Sequence, residues 1–287
     1  MWVLFAFGSA GFAGVTAILA KVGLRRVDSD LATALRTGVV LIFAWIMAFL
    51  TAGIPDLTAI GWKTYLFLML SGLSTGASWI CYFKALQLGD VNKVAPIDKS
   101  SILLTMLLAF FLLGEGISWG KLGCMVLIGV GTYLMIERKE TAPASKEGHG
   151  WMFYAILSAV FAALTTILGK VGIESIDSNL GTAIRTVFVL ILAWIIVFAR
   201  GKQRGISAID GKSWWFLILS GVATGLSWLC YYRALQTGNA SLVAPIDKLS
   251  ILFTVAFSGI FLKERLSAKS GLGLALLTAG TLLLLVA

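Results

Sequence analysis

Asp98-Lys99 and Asp247-Lys248 set a carboxylate beside an ammonium inside apolar stretches, each closing the same run, Val-Ala-Pro-Ile-Asp-Lys. Lys21, Arg36 and Lys84 accompany the first pair along the chain, and Lys170, Arg185 and Arg233 accompany the second. Charge in a segment apolar enough to cross a bilayer is costly and marks an ion or substrate path by default. The chemistry on offer is reversible ion pairing, in which a buried carboxylate meets Lys or Arg in one conformation and parts from it in another. The two sets are therefore gating or coupling candidates. Where part of the basic excess faces a cavity, it favours an anionic or zwitterionic solute, such as an amino acid or another carboxylate. Pro96 and Pro245 fit an early helix turn, where a missing N–H costs little. Asp98 and Asp247 would then gain from the dipole of a helix start. Long basic side chains that snorkel to the interface, each Asp neutralising one of them, are the bland alternative, strongest for Lys21 and Lys170.

A second pattern is made of hydroxyls. Ser71, Thr75, Ser78 and Tyr82 are spaced four, three and four apart, so they share one helical face. Ser220, Thr224, Ser227 and Tyr231 repeat the stripe. It can serve as a cavity wall. It can equally serve helix packing, since Gly72 and Gly76 form a small-xxx-small pair. Trp79 and Trp228 fall within the same helices, away from the interfacial belts where Trp concentrates, and can line a pocket or simply pack. Trp45 and Trp194 read as packing residues, whereas Trp2, Trp62, Trp119, Trp151, Trp214 and Trp215 fit the belts.

These residues need apolar helices to hold them. Hydrophobic residues make up 59% of the chain and charged residues 13%, against about 25% charged in soluble domains. A span needs about 20 mostly apolar residues. Ten such segments are expected, near 2–23, 31–51, 64–87, 94–113, 119–136, 151–172, 180–199, 213–236, 243–262 and 270–287. A shift of 149 residues lays the second half on the first without a gap, with 61 identities in 138 pairs. The expectation is an all-α integral membrane protein of ten transmembrane helices in two five-helix repeats, 1–138 and 150–287, joined by a linker at 139–149. An odd repeat enters the bilayer inverted relative to its twin, as in many secondary transporters.

Basic residues agree with inversion. Lys21, Arg25, Arg26, Lys84 and Lys93 flank the first and third loops of copy one, while Arg200, Lys202, Arg204, Lys212, Lys263, Arg265 and Lys269 flank the second and fourth loops of copy two. Since Lys and Arg near span ends stay cytoplasmic, this bias places both termini outside. The economy of loops suits a prokaryotic plasma membrane.

A Gly/Ala-rich first span, the Ala-Leu-Gln exit from the third and Glu115 and Glu264 after the fourth resemble the EamA branch of the drug/metabolite transporter superfamily, over essentially the whole chain. Lys263 departs from the Gly usual before the acidic residue. Each half is also similar to small five-helix bacterial and archaeal permeases, most closely in Asp177-Ser178-Asn179-Leu180, Arg185-Thr186 and 243–248. The resemblance implies ten helices around a central cavity, transport of small metabolites and cytoplasmic termini.

The net charge of +9 is spread over span ends, which argues against nucleic acid as a partner. No Gly-x-x-x-x-Gly-Lys-Ser/Thr phosphate loop, His-x-x-x-His or paired-Cys metal site occurs, and the lone His149 is in the linker. No cofactor, metal or catalytic residue is expected. Expected partners are membrane lipids and a small-molecule substrate, around a monomeric transport unit. The leading expectation is a secondary transporter working by alternating access. A lipid translocase, drawing headgroup phosphates with the basic residues, and a multidrug exporter are the alternatives.

Overall fold

The computed structural model describes residues 1–23, 27–53, 56–88, 97–98, 100–135, 150–261 and 267–287. Among them there are helices and two short 3-10 turns, Leu57–Ala59 and Lys202–Ala208, and no strand. The helices are α1 (Trp2–Gly23), α2 (Ser29–Ala52), α3 (Trp62–Leu88), α4 (Ser101–Leu112), α5 (Trp119–Leu134), α6 (Gly150–Gly172), α7 (Ser178–Ala199), α8 (Gly211–Thr237), α9 (Ala240–Lys248), α10 (Ser250–Phe261) and α11 (Ala268–Leu283). Six of them, α1, α2, α3, α6, α7 and α8, are long and apolar enough to cross a membrane, and α4, α5 and α11 are shorter apolar helices. The expected linker 139–149 lies outside the described residues.

Local sequence sets the helix starts. Asp28 caps α2 by accepting from the N–H groups of Asp30 and Leu31, and its repeat twin Asp177 caps α7 through Asn179 and Leu180. A carboxylate there satisfies donors that have no intrahelical partner. Hydroxyls inside the apolar helices turn back on their own backbone: Thr33 to Ser29, Thr37 to Thr33, Thr182 to Ser178 and Thr186 to Thr182.

The expected span over 243–262 is divided into α9 and α10 at Leu249. Pro245 is the sixth residue of α9, not part of its first turn, and it removes one helical N–H and crowds the carbonyl four residues back. The expectation for Asp247 is corrected accordingly: it lies at the C-terminal end of α9, beside the break, and gains nothing from the start of that helix.

Each repeat covers the other. α1 packs on α8, and their twins α6 and α3 pack on each other. Twins α2 and α7 pair directly, as do α5 and α11. Glycine permits close crossings: a Cβ on Gly72 of α3 would stand 2.7 Å from the Arg185 carbonyl of α7, and one on Gly131 of α5 would stand 2.5 Å from the Leu277 nitrogen of α11. The outer face is apolar, with Leu50, Phe111, Phe153 and Ile260 exposed. Trp62, Trp119 and Trp215 are exposed as the belts require, and Trp45 and Trp194 lie on Phe49 and Phe198. Water does not tolerate so continuous an apolar surface, and a bilayer does.

Candidate functional site

Arg185 is the largest fully buried side chain, at 1% exposure. Its Nε donates to Ser71 Oγ (3.3 Å) and a terminal nitrogen donates to Thr75 Oγ1 (2.7 Å), both on α3 of the other repeat. The guanidinium also lies over the rings of Tyr232 (4.7 Å) and Trp228 (5.2 Å). Hydroxyls and aromatic faces offset part of the cost of removing this cation from water, and no carboxylate pairs with it among the described residues. Two of its five N–H groups are engaged by α3.

Arg185 borders a cavity of about 280 Å³. Thr75, Ser78, Trp79, Ser227, Trp228, Tyr231, Asp247 and Lys248, all expected from sequence, also face it. Sequence reasoning missed Ser9, Thr165, Thr166 and Tyr232, which complete the wall. Ser9 carried a signal, since it is identical to its twin Ser158. Ser9 Oγ donates to Asp247 Oδ1 (2.6 Å), and Ser227 donates to the Ser9 carbonyl (3.0 Å). The twin set repeats this: Ser158 donates to Asp98 Oδ1 (2.9 Å), and Ser78 donates to the Ser158 carbonyl (3.0 Å).

A smaller cavity of about 190 Å³ surrounds Arg36, the twin of Arg185. Arg36 crosses to Thr224 Oγ1 (2.8 Å), as Arg185 crosses to Thr75. Its Nε is buried without a hydrogen-bond partner. Trp79 and Trp228 border both cavities, so the two indoles form a shared wall.

The expected clusters of four basic residues around one Asp are redistributed. Asp247 keeps Lys248 at 3.9 Å, but Arg36 and Arg185 turn to hydroxyls of the opposite repeat. Lys170 instead meets Glu115 (3.5 Å) and donates to the Gly238 carbonyl. Lys84 and Arg233 are exposed, with Arg233 bonded to Gln236 (2.8 Å). Lys99, Glu264 and the side chain of Lys21 lie outside the described residues. Ser71 lies behind Arg185 and also donates to the Thr165 carbonyl (2.7 Å), whereas Ser220 donates to Leu217 within its own helix. Tyr82 packs near Ala85, Ala155 and Trp151.

Glu115 had only its place after the fourth span to mark it. Gly114, at φ +64°, makes the left-handed turn that ends α4. Glu115 then accepts from the N–H groups of Ala240 (2.6 Å) and Ser241 (2.9 Å) and from the Ser241 hydroxyl. A carboxylate of repeat one thus holds the start of α9 in repeat two, favoured by the dipole there. The other end of α9 carries Asp247 and Lys248 into the cavity.

Crossed apolar helices around an internal cavity define a multi-pass membrane transporter. The chain belongs to the EamA-like transporter family, whose model matches residues 1–137 and again 149–286, which fits the drug/metabolite transporter superfamily. It is 51% identical over 136 residues to an "uncharacterized transporter in cobO 3′ region" of Sinorhizobium sp., covering 47% of this chain and 96% of that one. An uncharacterized transporter of Archaeoglobus fulgidus is 24% identical over 225 residues, 78% of this chain and 77% of its own length. One solved crystal structure shares the fold, with a TM-score of 0.80 at 17% identity, over 99% of this chain and 98% of that one.

Proposed function

We propose that the protein is a secondary transporter of a small zwitterionic or anionic metabolite, amino-acid-like in chemistry, working by alternating access in a prokaryotic plasma membrane. The observation that carries this reading is Arg185, buried, without a carboxylate partner among the described residues, beside a cavity that also presents Asp247. A guanidinium binds a carboxylate through paired N–H groups. Asp247 offers the acceptor that an ammonium requires. Trp228 and Tyr231 supply apolar walls. About 280 Å³ is near the lower bound of ligand pockets, about 300–1,000 Å³, which favours a small metabolite over a whole lipid.

In this reading ten spans form two inverted five-helix repeats, with α9 and α10 counting as one broken span. The crosswise contacts between twin helices and the swapped basic bias support that arrangement. Glu115, Lys170 and the start of α9 act as a gate on one side. Asp98, Asp247, Arg36 and Arg185 supply the polar contacts that exchange as the halves rock.

Uptake of labelled amino acids and organic acids into proteoliposomes tests the proposal. Saturable uptake is expected, abolished by Arg185→Met. Asp247→Asn should impair amino acids far more than carboxylates lacking an ammonium. Full uptake by Arg185→Met, or no saturable uptake of any of these solutes, overturns it.

A further inference from the structure

We propose that the Arg36 cavity is a separate binding subsite for a small anion. Among the described residues, Arg36 is the one charged residue that borders it, with Thr33, Thr37, Val40, Trp79, Thr224 and Trp228. Thr224 fixes one terminal nitrogen of the guanidinium, and Nε is buried without a hydrogen-bond partner. A buried cationic donor left unmatched is costly, and native structures satisfy nearly all such groups. None of the neighbouring hydroxyls among the described residues reaches Nε, and each spends its own proton elsewhere. Thr33 and Thr37 both donate to backbone carbonyls of α2. Thr224 already accepts from Arg36 and donates to the Ser220 carbonyl.

The contrast with the twin cavity sets the ligand class. Arg185 shares its cavity with Asp247, so a ligand there can bring both charges. The acid equivalent to Asp247 is Asp98, which is bonded to Ser158 and does not border the Arg36 cavity. Among the described residues no carboxylate borders that smaller cavity, and the guanidinium there favours an anion. Two sources share this chemistry, an inorganic halide and the carboxylate of an organic acid. The inference does not depend on transport, because binding alone defines the subsite.

Iodide is a suitable probe, since it quenches indoles and Trp79 and Trp228 wall the cavity. Purified full-length protein in detergent is titrated with sodium iodide against sodium methanesulfonate at constant ionic strength. A saturable quenching step is expected above the linear collisional quenching of exposed tryptophans. Arg185→Gln, in which the other guanidinium beside Trp228 cannot hold iodide, should retain the step within about twofold, and Arg36→Gln in that background should abolish it. Arg36→Lys should weaken it by about fivefold or more, because an ammonium lacks the guanidinium fork, and this variant keeps the test decisive where Arg36→Gln does not fold. Displacement of iodide by chloride alone assigns the inorganic source, and displacement by acetate assigns the carboxylate. Either result supports the subsite. Purely linear quenching, a step that survives Arg36→Gln in the Arg185→Gln background, a step lost in Arg185→Gln alone, or one displaced by neither anion overturns it.

Discussion

The Arg185 and Arg36 regions descend from one sequence and differ in how tightly they are assembled. Arg185 is fully buried, with two hydroxyls and two aromatic rings around it. Arg36 is half-buried, with one hydroxyl and an unmatched Nε. Both helix crossings are close and differ in what is met first: a Cβ on Gly72 would stand 2.7 Å from the Arg185 carbonyl, whereas one on the twin Gly221 would stand 2.7 Å from the Val39 side chain and 3.2 Å from the Arg36 carbonyl. Identical residues in unequal settings are what alternating access requires, because one half must be clamped while its twin is loose. On the proposed alternating-access reading the difference between the halves is conformational and should reverse.

The largest effect that sharpens this contrast is on uptake. Arg185→Met is expected to lower saturable uptake in proteoliposomes by about 100-fold, and Arg36→Met by about tenfold, because two N–H contacts to a carboxylate are lost from a desolvated site in the first case. Thermal stability of Arg185→Met should be unchanged or raised, since an apolar side chain of similar size avoids the desolvation cost of the cation. Equal losses of uptake in the two variants would break the comparison.

Packing gives the next effect. Gly72→Ala drives a methyl into the backbone of α7 and is expected to cost about 2–3 kcal/mol, seen as a lower melting temperature in detergent, while Gly221→Ala, which meets the Val39 side chain before any backbone, is expected to cost less, about 1–2 kcal/mol. The reverse order would show that the α3–α7 crossing is not the tighter one.

Glu115→Gln tests the hold on α9. An amide keeps one acceptor for the N–H groups of Ala240 and Ser241 and loses the charge that meets Lys170, so stability should fall by about 1–2 kcal/mol. Ser241→Ala, which removes a single hydroxyl contact, should cost less. A neutral result for both would remove the carboxylate as a support of α9.

The smallest effect separates the twin helix caps. Partial burial pushes the Asp28 carboxyl up, but the hydrogen bond and charge of Lys202 at 3.0 Å, with the N–H groups of Leu31 and Asp30, hold it below the usual carboxylate range. A depressed acid stabilises the fold above its unfolded pKa, and that contribution is lost as pH falls through the folded value. The site is partly exposed, so the pairing with Lys202 is worth under about 1 kcal/mol. Lys202→Ala should therefore lower the melting temperature slightly at pH 7, with the difference shrinking below pH 4. A difference that does not shrink at all as pH falls below 4 would place its cause in packing.

Much of this was legible along the chain. The duplication, the apolar segments, the Arg36 and Arg185 pair, the hydroxyl stripes and Trp79 and Trp228 all follow from residue type and spacing. Ser9 and Ser158 were readable only as a repeated identity, because a lone serine in a Gly/Ala-rich helix shows no partner. The break at Leu249 was hidden because Pro245 also fits a helix start. Glu115 gave no sign that it would cap α9, whose first residues are 125 positions away.

The sequence by itself determined two copies of one polar set on apolar helices, because charge, hydroxyl and glycine spacing are local properties. Only the tertiary structure decided which partners meet. Each first helix packs on the third helix of the other repeat, so Ser9 reaches Asp247, Arg185 reaches Thr75 and Arg36 reaches Thr224 across the pair. Those choices depend on which helix faces approach in three dimensions, and two identical stripes carry no record of which of them will be clamped.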